Sequence, residues 1–172
     1  MRKIILGVAV SLDGFIEGPH GEYDWCFMDQ DYGMSDFFKR IDTVFMGRKS
    51  YELVLTIEGD SGIPPMKEYV FSNTLKKAKE GTTILSGDIK KHIEKIKKES
   101  GKDIWLFGGA SLTSSLMNLG LVDEISVAVH PILLGSGKLL FSGITSRIKL
   151  QLADSKTYST GLVSLVYNVE GK

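Results

Sequence analysis

Two short segments of this chain place glycine and basic or hydroxyl residues where an apolar run gives way to an amphipathic one. The first is Val44-Phe45-Met46-Gly47-Arg48-Lys49-Ser50-Tyr51 and the second is Ile104-Trp105-Leu106-Phe107-Gly108-Gly109-Ala110-Ser111-Leu112. Both read as a buried strand running into a glycine turn and then a helix, and the chemistry they suggest is anion binding. The free N–H groups and dipole at a helix start favour a phosphate, and glycine lets a ligand approach without a Cβ in the way. Arg48 and Lys49 oppose the dipole at such a start, and a bound phosphate would offset that cost, Arg being suited to grip it bidentately. The alternatives are a tight turn with Ser111 as N-cap and two solvated basic side chains. The spacing matches neither the G-x-G-x-x-G dinucleotide fingerprint nor the Walker P-loop.

A third segment, Ser11-Leu12-Asp13-Gly14-Phe15-Ile16, follows the first strand and opens a long loop through His20, Asp24, Trp25, Asp29 and Asp31 to Tyr32. A structureless stretch of about 20 residues in a compact domain is more often functional than decorative. Asp13 and the acidic residues Asp24, Asp29, Asp31 and Asp36 are the candidates to orient a substrate or relay a proton. An irregular surface loop with Trp25 tucked into the core is the competing reading. His130, before Pro131, reads as a structural edge residue, His92 as solvated and Cys26 as packing. No Ser/His/Asp triad signature and no metal-ligand spacing is visible.

The elements that must carry these residues alternate between strand and helix. Strands are expected at Lys3–Val10, Thr43–Met46, Glu68–Ser72, Thr82–Leu85, Ile104–Phe107 and Glu124–Val129. Helices are expected at Met34–Ile41, after Gly47, at Asp88–Ser100 with Gly101 as C-cap, and at Ser111–Leu119. Ser61-Gly62-Ile63-Pro64-Pro65 is turn material. The tail alternates through Ile148, Leu150 and Leu152, then Val163, Leu165, Tyr167 and Val169 around Ser159-Thr160-Gly161, which describes a hairpin. Alternation of this kind predicts an α/β fold of three α-β-α layers. Its sheet is mixed, mostly parallel, with a C-terminal antiparallel hairpin, and residues 1–172 form a single domain.

The totals narrow the function. With 172 residues, 42% of them hydrophobic, the chain needs no disulfide or metal to fold. Its 21 basic and 21 acidic residues cancel, which argues against a nucleic-acid partner. The single cysteine fits a reducing compartment. Met1-Arg2-Lys3 before Ile4–Val10 superficially resembles a secretory signal, but a buried first strand is the better reading. Nothing approaches the roughly 20 apolar residues of a membrane span. A cytoplasmic protein with a small-molecule substrate is expected. The apolar terminal hairpin offers an edge for a homodimer.

Met46-Gly47-Arg48-Lys49-Ser50-Tyr51-Glu52 resembles the M-G-R-x-[ST]-[WY]-E segment of dihydrofolate reductase. Val70-Phe71-Ser72-Asn73 resembles its next strand, and Leu106–Leu112 its I-G-G segment. Ser11–Gly14, Val122–Ile125 and His130-Pro131-Ile132-Leu133-Leu134-Gly135-Ser136-Gly137 are more similar to the C-terminal reductase domain of the riboflavin-biosynthesis deaminase/reductase. The matches run in order along nearly the whole chain. The resemblance implies a dihydrofolate reductase-like fold and NADPH as cofactor. It implies that Arg48, Lys49 and Ser50 bind the adenosine side including the 2′-phosphate, with Gly47 at the turn and Ser72 and Asn73 nearby. Gly108, Gly109, Ala110, Ser111 and Leu112 would hold the pyrophosphate, with Phe107 before them among the cofactor-binding residues, while Val8 or Ala9 with Ile16 would flank the nicotinamide. Trp25, Met34 and Phe38 fall on the substrate side.

The chain departs from both relatives on that side. Met34 stands where dihydrofolate reductase carries its pterin-binding acid, and Phe15 where the riboflavin reductase carries an arginine. The expected function is an NADPH-dependent reductase that transfers hydride to a small heterocyclic substrate of pyrimidine or pterin type. The alternative is a non-catalytic NADP(H)- or nucleotide-binding module on the same fold.

Overall fold

The computed structural model describes residues 1–57 and 63–171, so Ser61 and Gly62 of the expected turn lie outside the described residues. In chain order the elements are β1 (Ile4–Ser11), β2 (Phe15–Glu17), α1 (Met34–Arg40), β3 (Ile41–Gly47), α2 (Arg48–Val54), β4 (Lys67–Phe71) and β5 (Thr82–Leu85). There follow α3 (Ile89–Lys98), β6 (Asp103–Gly108), α4 (Ala110–Asn118), β7 (Glu124–His130), β8 (Lys138–Leu139), β9 (Leu150–Thr157) and β10 (Val163–Val169). Eight strands form one sheet in the order β5-β4-β3-β6-β1-β7-β10-β9, and β2 pairs with β8 in a separate two-stranded ribbon. The first six strands of that order are parallel neighbours. β10 and β9 add the antiparallel end.

Period-two alternation sorts the core onto both faces of the sheet. Ile4 and Leu6 of β1, Phe45 of β3 and Leu106 of β6 face α3 and α4, where Ile93, Ile96, Leu112 and Leu116 meet them. Ile5, Val44, Met46 and Trp105 face the other way, against Phe37 and Phe38 of α1 and Tyr51 of α2. Full burial of one such aliphatic or aromatic side chain contributes about 1.5–3 kcal/mol. The three-layer expectation is therefore met. α3 follows its amphipathic pattern: Asp88 caps it by accepting the Lys91 N–H at 3.1 Å, and Ile93 and Ile96 are its buried residues.

Three expectations change. α3 ends at Glu99 in extended backbone. Gly101 lies beyond that cap, with the Asp42 carboxylate 2.7 Å and the Arg2 guanidinium 3.1 Å from where a Cβ would stand, so packing rather than capping fixes its size. β9 begins at Leu150 and every residue in it is exposed, because it forms the outer edge of the sheet. The β2–β8 ribbon, too short to show a period, was not expected at all.

Helix α1 carries the residues expected on the substrate side, and an ion pair docks its end onto the sheet. The guanidinium of Arg40 donates both Nη1 and Nη2 to the buried Glu124 carboxylate of β7, each at 2.9 Å. That contact, foremost, pushes the Arg40 pKa up. Phe37 and Phe38 meet the Trp105 ring edge-on at centroid distances of 5.6 Å each. The Trp105 indole in turn donates to the Gly7 carbonyl at 2.9 Å.

Candidate cofactor cleft and its neighbouring loop

A parallel sheet brings the carboxyl ends of its strands to one edge, and ligands collect there. On this edge a cleft of about 320 Å³ opens over the ends of β3, β4, β5 and β6. Gly47–Ser50 and Gly109–Leu112 face it from the starts of α2 and α4, Ser72, Asn73, Ser86 and Gly87 from the β4 and β5 ends, and Lys138 from β8. The lining thus carries three cations, five serine hydroxyls and no carboxylate. Such a charge pattern suits a polyanion. Lys138, Ser86 and Gly87 were missed in the sequence. Ser86-Gly87 was legible as a further strand-end turn, whereas Lys138 arrives through the unforeseen ribbon.

The two glycine turns are physically joined. Met46 and Gly108 are register partners in β3 and β6, and from the first turn of α2 the Ser50 hydroxyl donates to the Gly108 carbonyl at 3.3 Å. Gly109, not Ser111, is the N-cap of α4, at φ 86° and ψ 116°, and no side chain caps the helix. A side chain competing for the first-turn amides is therefore missing, and these are the groups a helix leaves without internal acceptors. At Gly108, φ is 114° and a Cβ would meet only open space. At Gly109 a Cβ would stand 3.0 Å from the Ser50 hydroxyl. Gly47 differs, with ordinary extended backbone at φ −76° and ψ 162°.

Arg48 is exposed and reaches Glu52 one turn on at 3.2 Å, a pair of small value in water. Lys49 is exposed and makes no ion pair among the described residues. Ser72 and Asn73 line the cleft but also shape it. The Ser72 hydroxyl accepts the amides of Thr74 and Leu75 at 3.2 and 3.0 Å, and Asn73 Oδ1 accepts the Gly87 amide at 3.1 Å.

The remaining expected residues lie off this cleft. Val8 and Ala9 sit half-buried in β1, Ile16 in β2 and Phe107 at the end of β6. Phe107 packs against Trp105 at 4.9 Å between centroids. Along the same edge, over β1 and β7, lies the loop that follows β2. Trp25 meets the imidazole of His130 edge-on at 5.3 Å, and Met34 opens α1, partly exposed. Trp25 and Phe38 therefore belong to different aromatic clusters, one around His130 and one around Trp105. His130 is 3% exposed, so it is a buried anchor rather than an edge residue.

Four of the five acidic candidates, Asp13, Asp29, Asp31 and Asp36, are engaged in hydrogen bonds or an ion pair within the fold. Asp13 accepts the Ser11 hydroxyl at 2.6 Å and the amides of Leu134 and Gly135 at 3.1 and 2.8 Å. The Ser11 contact first, then the two amides, hold its carboxyl below the usual value. Asp29 accepts the Tyr32 hydroxyl at 2.6 Å, Asp31 ties down Gly33 and Ser35 at the start of α1, and Asp36 pairs with Lys39. Burial pushes the Cys26 thiol up to about 11, with Asp24 adding to the effect, so it is a neutral packing group. Among the described residues, no group of three His, Cys, Asp or Glu is placed to hold a metal ion, and no helix is long and apolar enough to cross a membrane.

An open α/β sheet of this order, with a phosphate-suited cleft at its parallel strand ends, defines the dihydrofolate reductase-like class of folds. Residues 2–164 match the family described as the RibD C-terminal domain. The chain is 44% identical over 181 aligned positions to the uncharacterized protein YyaP of Bacillus subtilis (strain 168), covering 99% of this chain and 96% of that one. The chain belongs to the RibD C-terminal domain family. A solved structure from Shewanella sp. PV-4, of a protein assigned to riboflavin biosynthesis, superposes with a TM-score of 0.86 at 26% identity, covering 99% of this chain and all of the other. Dihydrofolate reductase from Enterococcus faecalis, complexed with NADP(H), shares the fold at a TM-score of 0.71 and 16% identity, over 98% and 97% of the two chains.

Proposed function

We propose that this chain is an NADPH-dependent reductase that delivers hydride to a small heterocyclic substrate of pyrimidine or pterin type. The observation that carries the reading is the cleft lined by Arg48, Lys49 and Lys138 without a carboxylate, beside a helix start whose cap is a glycine. The residues fit a dinucleotide carrying a 2′-phosphate. Gly108 leaves open space where a Cβ would intrude. Arg48 and Lys49 would hold the 2′-phosphate, with Ser72 and Asn73 shaping the adenosine end. Lys138 and the first-turn amides of Ala110, Ser111 and Leu112 would hold the pyrophosphate. Val8, Ala9 and Ile16 would flank the nicotinamide over the neighbouring strand ends. The cofactor supplies the hydride, and the chain's task is to fix its position and exclude water from the face toward the loop bearing Trp25. In this reading Asp13 positions the β7–β8 connection and Met34 and Phe38 bound the substrate.

We further propose one cytoplasmic domain over residues 1–172, paired as a homodimer through its exposed β9 edge, where Leu150 and Leu152 remain 41% and 54% exposed.

Separate titrations with NADPH and NADH test the reading. Binding of NADPH below millimolar, with consumption of NADPH in the presence of a pterin, flavin precursor or quinone, is expected. Failure to bind either nucleotide sinks the proposal. A second reading, a non-catalytic NADP(H)-binding module, is favoured by one observation. Asp13, Asp29, Asp31 and Asp36 are each bonded within the fold, and Met34 stands where an acid would orient a pterin. NADPH binding without turnover on any of those acceptors is its signature.

A further inference from the structure

His130 closes β7 opposite Ser11 of β1, and one buried imidazole there supports a whole turn of the substrate-side loop. Its Nε2 accepts the Phe27 amide at 3.1 Å, while its Nδ1 lies 3.0 Å from the Ala128 carbonyl. An amide N–H donates only to an unprotonated ring nitrogen, so the ring is neutral with its proton on Nδ1, donated to Ala128. Trp25 stands edge-on to the ring at 5.3 Å and Phe27 lies 5.1 Å away. The far side of the loop is tied separately: Tyr32 bonds Asp29 and Thr160 through its hydroxyl and meets Tyr158 at 5.0 Å. The Trp25 indole N–H is buried without a hydrogen-bond partner, so the closed turn leaves one donor unpaired.

A second proton on this ring has one place to go. It must sit on Nε2, where the Phe27 N–H already points, and two donors cannot share that line. Burial opposes the charged form, and only the carbonyls of Ala128 and Val10 favour it. No charge–charge contribution from the surrounding titratable groups adds to these causes. On the loop, Asp24 flanks Trp25, Cys26 is neutral, and Asp29 is bonded to Tyr32. On the β1 side, Asp13 is bonded to Ser11, Leu134 and Gly135. On the hairpin, Lys156 stacks on Tyr158 at 4.9 Å.

We propose that His130 is the positioning residue of the substrate side: its neutral form holds Phe27, and the turn before it in which the Cys26 amide donates to the Tyr23 carbonyl at 3.1 Å, against the end of β7, and protonation at Nε2 releases them. The wall beside the cofactor cleft thereby opens on mild acidification while the cleft itself is untouched. Its relevance to a substrate rests on the reductase reading, but the device itself requires no ligand, so the two fail separately.

The experiment is a pH titration of tryptophan emission on the full chain without ligand, from pH 8 to 4.5, with Trp25→Phe subtracted to isolate the Trp25 signal. His130→Gln is run in parallel, since its amide oxygen can still accept the Phe27 N–H yet does not titrate. The expected result is a single red shift of the Trp25 signal, with its midpoint below the ordinary histidine value, absent in His130→Gln. Far-UV dichroism should stay constant across the step. A flat wild-type curve, quenching without a red shift, a step that survives in His130→Gln, or a step that coincides with loss of dichroism overturns the proposal.

Discussion

The Ser50 hydroxyl donates to the Gly108 carbonyl at 3.3 Å, and this one bond couples two turns that lie 58 residues apart in the chain. Because Met46 and Gly108 are register partners, the start of α2 lies beside the end of β6, and the hydroxyl spans the remaining gap. Both ends of the proposed ligand would be held by these turns. Ser50→Ala should cost about 0.5–1.5 kcal/mol of stability, the ordinary worth of one intramolecular hydrogen bond. That corresponds to a Tm lower by very roughly 1–6 °C for a chain this size. NADPH affinity should fall as well, since the turns lose their mutual register. Thermal unfolding with and without NADPH checks both. An unchanged affinity would show that the turns hold their spacing without Ser50.

The cleft cations should divide their work. Arg48→Ala should weaken NADPH by about 10- to 100-fold, the scale of a lost charge-assisted bond, and leave NADH nearly unchanged. Lys138→Ala should weaken both nucleotides alike, because the pyrophosphate is common to them. Glu52→Gln is the control: it removes the negative charge of Arg48's partner in an exposed pair, worth little to stability, and should slightly tighten NADPH. Equal responses of both nucleotides to Arg48→Ala would remove the 2′-phosphate from that end of the cleft.

Two glycines are intolerant for different reasons, and alanine separates them. At Gly109, φ is 86° and a Cβ would stand 3.0 Å from the Ser50 hydroxyl, so Gly109→Ala strains the backbone at the cleft by about 1–3 kcal/mol. At Gly7 a Cβ would stand 2.8 Å from Trp105 Nε1 and 2.9 Å from the Phe37 ring, so Gly7→Ala overpacks the α1 face at a similar cost of about 1–3 kcal/mol. Denaturant unfolding should show both losses. Only Gly109→Ala should reduce nucleotide affinity by more than the loss of folded protein accounts for.

What was legible in the sequence is what local pattern determines. Apolar runs ending at Gly47 and Gly108 announced strand ends, and lysines opposite Ile89, Ile93 and Ile96 announced α3. Parallel pairing then forces those strand ends to one edge, so both halves of the cleft followed from alternation alone. Pairings across the chain were not legible. Lys138 enters the cleft only because Phe15 pairs with Leu139 and Glu17 with Lys138 in a ribbon of three and two residues. The role of His130 depends on an amide 103 residues away, and no spacing rule reports such a contact. Ser111 was a reasonable N-cap by type, yet the left-handed freedom of Gly109 moved the cap back two positions, leaving Ser111 inside the first turn.

Asp13 provides the sharpest test of how the acidic residues act. Its carboxylate accepts from Ser11, Leu134 and Gly135, contacts that favour the charged form and lower its pKa, so near neutral pH it carries no proton to give. A group with a depressed folded pKa adds stability above its unfolded value, near 3.8 here, and that stability is lost as pH falls through the folded value. Asp13→Asn should therefore lower stability at pH 7 while flattening the decline of stability below about pH 4, the range in which an ordinary Asp takes up its proton. An amide oxygen and an N–H₂ cannot both accept, so one of the Leu134 and Gly135 bonds must break. Turnover, once a substrate is found, should change through KM and loop order rather than by loss of kcat. Thermal melts of both proteins from pH 7 down to pH 3, with steady-state kinetics at pH 7, decide the matter. Abolished kcat with an unchanged Tm would make Asp13 a proton-transferring residue after all.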